Sequence, residues 1–347
     1  MNDSTTKSTR ATIDDVAREA GVSTATVSRA LRDHPHVATA TKQRVVAAVD
    51  RLRYVANPNA SRLASGQSRT VGLVAPLLTN WYTSELMIGV EEVMTQARFD
   101  LLIGTANPTA RERIFRGGAH FHQRVDGVIL VDVFCGEQRA EQMAALETPV
   151  VVLGEALASV VSISIDNAHG AELAARHLIE LGHRRIALVL GHSELHVAHD
   201  VPAERARGFA TSLAAAGLTV APEHILDGDF TIGGGRRAMA TLLAGPTPPS
   251  AVFFMSDEMA FGALQALREA GLVAGRDVSV VGFDDHPVAE SIGLTTVHQP
   301  IRDMGRLGAE LMLELLDGTA TVRHHPVEVA LIERITTGPL NPLHTSR

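Results

Sequence analysis

The sequence predicts an all-α helix-turn-helix head followed by an α/β body of two doubly wound parallel-sheet subdomains. Two short amphipathic helical patterns flank a Gly-Val-Ser turn within residues 12–31. From Thr70 onward, short apolar runs alternate with helical patterns, which is typical of buried parallel strands joined by crossover helices. At 347 residues the chain is too long for one compact core, so we expect a small head and a bipartite body.

In the head, each predicted helix has one apolar face and recognisable ends. Thr12 and Asp15 are spaced as a capping box, Gly21 turns the chain, and Ser23 is placed to N-cap the second helix. A third helix is predicted from about Thr41 and closes the core. The apolar positions of the first helix recur at i, i+3, i+4 and i+7, at Ile13, Val16, Ala17 and Ala20. This arrangement indicates a unit that docks into a DNA major groove through the outward face of the second helix.

The charge of the chain is divided unevenly between head and body. Residues 1–70 contain 11 Lys and Arg against 6 Asp and Glu, whereas the remaining residues contain 20 against 33. A basic head joined to an acidic body fits a DNA-binding module attached to a domain that stays away from phosphate.

Cysteine usage and hydropathy point to the cytoplasm. Cys135 is the only cysteine and follows an apolar run, so we expect a small buried side chain rather than a nucleophile. No apolar run reaches 18 residues, and residues 1–10 are polar, without a signal sequence, and expected to be disordered. We therefore expect a cytoplasmic protein without a membrane partner.

The elements of the body are predicted from its apolar runs and helical periodicity. Strands are expected at 71–75, 101–104, 127–131, 150–153, 162–165, 185–190, 251–255 and 278–282, with a further short strand near 225. Helices are expected at 85–96, 169–181, 205–216, 257–269 and 301–316. Ligands of doubly wound sheets bind beyond the carboxyl ends of the strands.

Polar and aromatic side chains gather just after these strand ends. They are Asn80, Trp81, Tyr82, Asp132, Asp166, Asn167, Arg205, Asp229, Phe230, Asp257 and Asp284. Carboxylates, one guanidinium and flat rings together suit a polyhydroxylated ligand, most simply a sugar. Structural interpretations stay open as well, since Asp257 follows Ser256 at a predicted helix start and Trp81 could belong to the core.

Over nearly its whole length the sequence resembles LacI-type transcriptional regulators, the family of the lactose and purine repressors. The matching stretches of the head are 13–17, 21–23, 26–31 and 54–58. Those of the body are 124–127, 165–167, 181–183, Arg205 with 208–209, 256–257, 281–285 and 298–300.

The resemblance implies a homodimer, or a higher oligomer, whose heads bind an inverted-repeat operator. It implies a DNA-binding domain at 11–56, a hinge helix or linker at 57–69, and an effector-binding and dimerisation domain at 70–340. By this resemblance, the effector-binding domain is similar to a periplasmic sugar-binding protein, with a ligand in the cleft between two subdomains. The N-subdomain would span about 70–165 and 298–326, and the C-subdomain about 166–297 and 327–340. No cofactor is implied.

The resemblance also assigns DNA contacts residue by residue. Base-reading positions correspond to Thr24, Ala25 and Arg29, where Arg29 would pair with a guanine and Ala25 would offer only a methyl group. Phosphate contacts are expected from Ser23, Thr26 and Ser28. In the hinge segment 59–65, Leu63 corresponds to a residue that wedges into the minor groove, and Ala60 allows close approach.

In the cleft, the resemblance points to Tyr82, Asp166, Arg205, Phe230 and Asp284. One departure is that the family often has Pro-Phe-Phe after the first strand where this chain has Trp-Tyr-Thr at 81–83, so the second ring is lost or displaced. The loop 191–204 is rich in histidine. His196 and His199 lack a matching ligand set, so we expect solvated or effector-contacting histidines and no metal site.

Together these features predict a sequence-specific repressor controlled by a small effector, most simply a sugar. A nucleobase or nucleoside is the alternative effector. A non-regulatory sugar-binding protein is disfavoured by the intact reading helix and the missing export signal. An enzyme is disfavoured because no nucleophile–base pair, metal set or phosphate loop stands out, and the glycines at 233–235 are expected to lead into a helix.

Overall fold

A computed structural model of the chain describes residues 11–31, 36–54, 68–76, 78–106, 124–133, 135–145, 148–191 and 201–340. A boundary between Ser68 and Arg69 divides the chain into two compact units. Within the described ranges, no helix is long and apolar enough to cross a membrane. The expected roles of Ala60, Leu63, His196 and His199 fall on residues outside these ranges.

The head is a three-helix unit, as predicted. Its helices are α1 Ile13–Ala20, α2 Thr24–Leu31 and α3 Thr39–Leu52, the last beginning two residues before the expected start. Thr12 and Asp15 form the predicted capping box, and Gly21 ends α1 in the left-handed conformation, with φ 66°. The core consists of small and β-branched side chains, namely Val16, Ala17, Ala20, Val27, Ala30, Val45 and Ala48.

The first sheet of the body has six parallel strands in the order β11-β5-β4-β3-β1-β2. They are β1 Thr70–Ala75, β2 Asp100–Thr105, β3 Gly127–Val131, β4 Val150–Leu153, β5 Val161–Ile165 and β11 His324–Val327. Helices α4 Trp81–Gln96, α5 Gly136–Ala144 and α11 Ile301–Leu316 accompany it. A Cβ at Gly89 would lie 2.1 Å from the carbonyl oxygen of Arg302, so glycine lets α4 and α11 approach closely.

The second sheet has the order β12-β10-β9-β8-β6-β7. Its strands are β6 Ile186–Leu190, β7 Ile225–Asp227, β8 Ala251–Phe254, β9 Ser279–Asp284, β10 Thr295–His298 and β12 Ala330–Ile332. Its helices are α6 Asn167–Glu180, α7 Val201–Ala215, α8 Ile232–Ala244, α9 Asp257–Glu269 and α10 Pro287–Ile292. The edge strand β12 pairs antiparallel with β10, so this sheet is mostly rather than wholly parallel.

The chain crosses between the two sheets three times, after Ile165, after His298 and after Val327. His298 is the last residue of β10 in the second sheet, and Val327 is the last residue of β11 in the first. The expected subdomain boundaries therefore misplace these two residues, because both strands continue up to the crossing.

Candidate functional site

A cleft lies between the two subdomains, at the carboxyl ends of their strands. The empty space in this cleft, part of which is open to solvent, is about 780 Å³. Five residues predicted from the sequence line it: Tyr82, Asp132, Arg205, Phe230 and Asp284. Asn80 and Asn167, which also follow strand ends, line it too. The remaining lining residues were not predicted as site residues, although Ile165, Ser256 and Gln299 lie in stretches that match the family; they are Gly154, Ile165, Val201, Pro202, Ser256, Glu258, Gln299 and Met304.

Arg205 is a buried cation held in one position. Its Nε donates to Oδ1 of Asn167 at 2.9 Å, and its Nη1 donates to the carbonyl of Met255. The guanidinium carbon lies 3.5 Å from the centroid of the Phe283 ring, a cation–π contact. Burial lowers the pKa of Arg205, while the charge of Asp284 opposes this shift.

Asp132 and Tyr82 form a hydrogen-bonded pair on the first-sheet side. Burial raises the pKa of Asp132 to about 7, although Arg205 and the hydrogen bond from Tyr82 oppose the shift. Burial, followed by the charge of Asp132, raises the pKa of Tyr82 well above its ordinary value, so the phenol is a donor. A Cβ at Gly154 would lie 2.4 Å from Oδ1 of Asp132, so a larger residue would displace the carboxylate.

Asp284 and Glu258 are the carboxylates of the second-sheet side. Burial raises the pKa of Asp284 to about 7; Arg205 and a hydrogen bond from Gln299 oppose the shift, and Glu258 adds to it. Glu258 is half-buried, and burial raises its pKa. Within the described part of the chain, no residue donates a hydrogen bond to Glu258.

Backbone strain concentrates at the cleft. The residues Asp132, Phe230 and Asp284 have φ values of 49°, 52° and 125°, in the region that favours glycine. Such conformations cost about 1–3 kcal/mol each and persist where the surrounding structure enforces them, often at binding sites. The Phe230 ring packs directly on Gly191. A Cβ at position 191 would lie 2.3 Å from the ring, so only glycine leaves room for it.

Four predicted cleft residues lie elsewhere, and one of them, Asp229, is exposed and pairs with Arg237. Asp257 is fully buried and accepts hydrogen bonds from the hydroxyl of Thr296 at 2.6 Å and the amide of His286 at 2.8 Å. One oxygen therefore accepts from β10 and the other from the segment that follows β9, and the carboxylate does not line the cleft. Asp166 is exposed and N-caps α6. Trp81 begins α4 and packs on the ring of His286, with centroids 4.3 Å apart.

In the head, the outer face of α2 carries the residues predicted to contact DNA. Ala25 and Arg29 are exposed, whereas Thr24, Thr26 and Ser28 are half-buried. Exposed Ser23 accepts a hydrogen bond from the amide of Thr26 at 3.2 Å, which caps the helix. The opposite face of α2 buries Val27 and Ala30 in the core.

Two further predictions concern cysteine and metals. Cys135 is buried, and its thiol donates to Oε2 of Glu155 at 3.3 Å. Among the residues that the structure describes, no group of three or more His, Cys, Asp or Glu side chains is arranged to hold a metal ion.

Comparison with known proteins identifies both parts of the chain. Residues 12–57 match the family described as bacterial regulatory proteins, lacI family, and residues 175–337 match a periplasmic binding protein-like domain. The HTH-type transcriptional repressor PurR of Escherichia coli is 36% identical over 345 residues, which cover 95% of this chain and 98% of that protein.

Solved structures agree with this match. The lac repressor dimer bound to operator and the anti-inducer ONPF superposes with a TM-score of 0.81 and 29% identity, over 94% of this chain and 99% of that one. The complex of the transcriptional regulator CelR with cellobiose superposes with a TM-score of 0.66 and 32% identity, over 94% and 100%. The chain therefore belongs to the LacI family and is a transcriptional repressor with an effector-binding domain, not an enzyme.

Proposed function

We propose that this repressor binds an inverted-repeat operator as a homodimer and that a sugar in the cleft changes its affinity for the operator. One observation carries the proposal: the cleft joins a fixed guanidinium, carboxylates and two rings, contributed by two subdomains of the same chain as a helix-turn-helix. Carboxylates accept paired hydroxyls, and rings stack on the apolar face of a sugar. The complex of the related CelR with cellobiose supports a sugar as the effector.

In this proposal the outer face of α2 reads the operator. Arg29 pairs with a guanine through two hydrogen bonds, Thr24 contacts a base, and Ala25 contacts at most a thymine methyl. Ser23, Thr26 and Ser28 contact phosphates. Ala60 and Leu63 act in the minor groove when two chains pair on DNA.

A surface on the first subdomain supports dimer formation. Leu78, Met87, Ile88, Leu101 and Ile103 line a shallow apolar depression along α4 and the edge strand β2. Ile88 and Ile103 are 38% and 46% exposed, which favours a covering partner. A second copy related by a twofold axis would cover this surface and bring two heads to one palindromic site.

The effector acts by changing the relative orientation of the subdomains. Tyr82 and Asp132 belong to the first subdomain, and Arg205, Phe230 and Asp284 belong to the second. A ligand that contacts both sides binds the closed cleft more tightly than the open one. The effector changes operator affinity only as far as its own affinities for the open and the closed cleft differ. This coupling is typically 1–3 kcal/mol.

The test is an electrophoretic mobility-shift assay with the DNA upstream of the gene, with and without a panel of sugars. A sugar that changes the shift in the wild type, but not in Arg205→Ala, supports the proposal. Nucleosides form the second arm of the panel, since Tyr82 and Phe230 approach the cleft from opposite subdomains and suit a flat base as well. If only a nucleoside acts, the sugar assignment is wrong and the regulatory assignment stands.

A further inference from the structure

We propose that the cleft selects an effector without a phosphate or carboxylate group and that Glu258 enforces this selection. The inference rests on the proposed function, because it concerns the ligand of the same cleft. It narrows that ligand from polyhydroxylated compounds in general to those that carry no negative charge.

The charges along the cleft provide the first argument. Asp132, Glu258 and Asp284 are carboxylates, and Arg205 is the one cationic side chain among the lining residues that the structure describes. A ligand phosphate would lie in a partly enclosed site beside three acids, where repulsion is much stronger than in water. Protonation of Asp132 and Asp284, whose pKa values are raised to about 7, relieves this repulsion only partly near neutral pH.

The hydrogen bonds of Arg205 provide the second argument. Phosphate recognition by arginine relies on two parallel N–H donors presented as a fork. Here Asn167 accepts from Nε and the carbonyl of Met255 accepts from one N–H of Nη1, so the fork formed by Nε and Nη2 is not available to a ligand. The ring of Phe283 covers one face of the guanidinium. The loss of this fork makes Arg205 a weaker phosphate ligand than a free guanidinium.

The helix ends at the cleft provide the third argument. A free helix N-terminus binds anions through its backbone amides. Three of the helices that begin at the cleft are capped by side chains: Asn80 accepts from the amide of Thr83 at 3.0 Å, Asp166 caps α6, and Ser256 caps α9. Each cap occupies one of the first-turn amides that an anion would use.

Glu258 differs from the other two acids in its partners. Tyr82 donates to Asp132, and Gln299 donates to Asp284. Glu258 is half-buried in the cleft and accepts no hydrogen bond from the described residues. The oxygens of Glu258 reach solvent in the cleft, so a ligand that displaces this solvent has to supply a hydroxyl donor in its place. Glu258 therefore favours hydroxyl groups and repels anions at the same position.

Matched ligand pairs test the inference in the full-length protein. Isothermal calorimetry at pH 7.5 would compare ribose with ribose 5-phosphate, glucose with glucose 6-phosphate, and cytidine with cytidine monophosphate. In the pair that binds, we expect the uncharged member to bind at least about 100-fold more tightly, as two like charges at short range imply. Glu258→Gln should narrow this ratio about tenfold, and Glu310→Gln, on the exposed face of α11, should leave it unchanged.

Two results would overturn the inference: a phosphorylated member that binds as tightly as its uncharged partner, or a ratio that Glu258→Gln leaves unaltered. Failure of the proposed function would look different. Arg205→Ala would then leave the affinity of the bound compound unchanged, which would mean that it binds outside the cleft.

Discussion

The side-chain amide of Gln299 donates a hydrogen bond to Oδ1 of Asp284 across 2.6 Å. Gln299 lies in the second of the three crossings between the subdomains, and Asp284 ends β9 at the cleft. A ligand hydroxyl that pairs with Asp284 would therefore contact a carboxylate that is hydrogen-bonded to this crossing segment. The contact joins a cleft residue to a segment between the subdomains, and we expect it to couple occupancy of the cleft to their orientation.

Replacing Asp284 by asparagine should stabilise the protein at alkaline pH. The pKa of Asp284 is raised from 3.8 to about 7, so the folded state binds more protons than the unfolded state between these values. Stability therefore falls as pH rises from about 4 to 7, and the loss is complete above 7. Asparagine keeps an acceptor for Gln299 without the charge.

We expect Asp284→Asn to gain about 1–3 kcal/mol at pH 8, less than the roughly 4 kcal/mol that a shift of three pKa units represents. At pH 4 the gain should vanish. Urea unfolding at both pH values measures the difference, and a variant that is less stable than the wild type at pH 8 would refute the raised pKa.

Gly154→Ala should weaken the effector response without affecting operator binding. Its φ of 103° and the 2.4 Å approach of its Cβ to Oδ1 of Asp132 would force the carboxylate aside. We expect a loss of effector affinity of at least about tenfold, equivalent to one misplaced charged hydrogen bond. Gly217→Ala is the matched control, since its φ is also positive, at 71°, but nothing lies within 4 Å. Equal effects of the two variants would contradict the role of Asp132.

Trp81 should report closure of the cleft by fluorescence. It is the only tryptophan, and its ring lies 4.3 Å from that of His286, on the other subdomain. We expect an effector to shift or quench its emission, and Arg205→Ala to abolish the change. His286→Ala should remove the contact and reduce the response while leaving effector affinity within about twofold, because His286 lies outside the cleft lining. An unaltered response in His286→Ala would assign the signal to another part of the protein.

Arg29→Ala should remove sequence-specific operator binding and preserve effector binding. The exposed guanidinium lies on the outer face of α2, and loss of a guanine contact costs about 1–3 kcal/mol. Competition between operator and unrelated DNA, measured by fluorescence anisotropy, gives the specificity ratio. Arg268→Ala, an exposed position on α9, controls for net charge. Unchanged specificity in Arg29→Ala would show that another residue reads the operator.

The sequence predicted the apolar elements well and the polar ones poorly. The apolar runs predicted the strands from β1 to β9. They did not predict β10, β11 and β12, because segments such as His324–Val327 are short and half-polar. The helices α5 and α10 were not predicted either. The glycines at 233–235 do lie in the first turn of a helix, α8, as expected.

The strand-end rule selected several residues that line the cleft, but it could not orient each side chain. It selected Asp257, the first residue of α9, but that carboxylate points into the core and bonds Thr296 and His286. The next residue, Glu258, is rotated by about 100° along the helix and lines the cleft instead. Gln299 was not predicted to line the cleft because it lies in a crossing, and the position of that crossing depends on both sheets.

The most direct test of the account is the reciprocity of effector and operator binding. If the cleft and the heads are coupled in one molecule, operator must change the affinity for effector by the same factor as effector changes the affinity for operator. Calorimetry of the effector with and without operator gives the first factor, and anisotropy of labelled operator with and without effector gives the second. We predict equal factors of about 5–150 in the wild type and a factor of one in Arg205→Ala. An effector that binds the cleft with the same affinity whether or not operator is present would contradict the account.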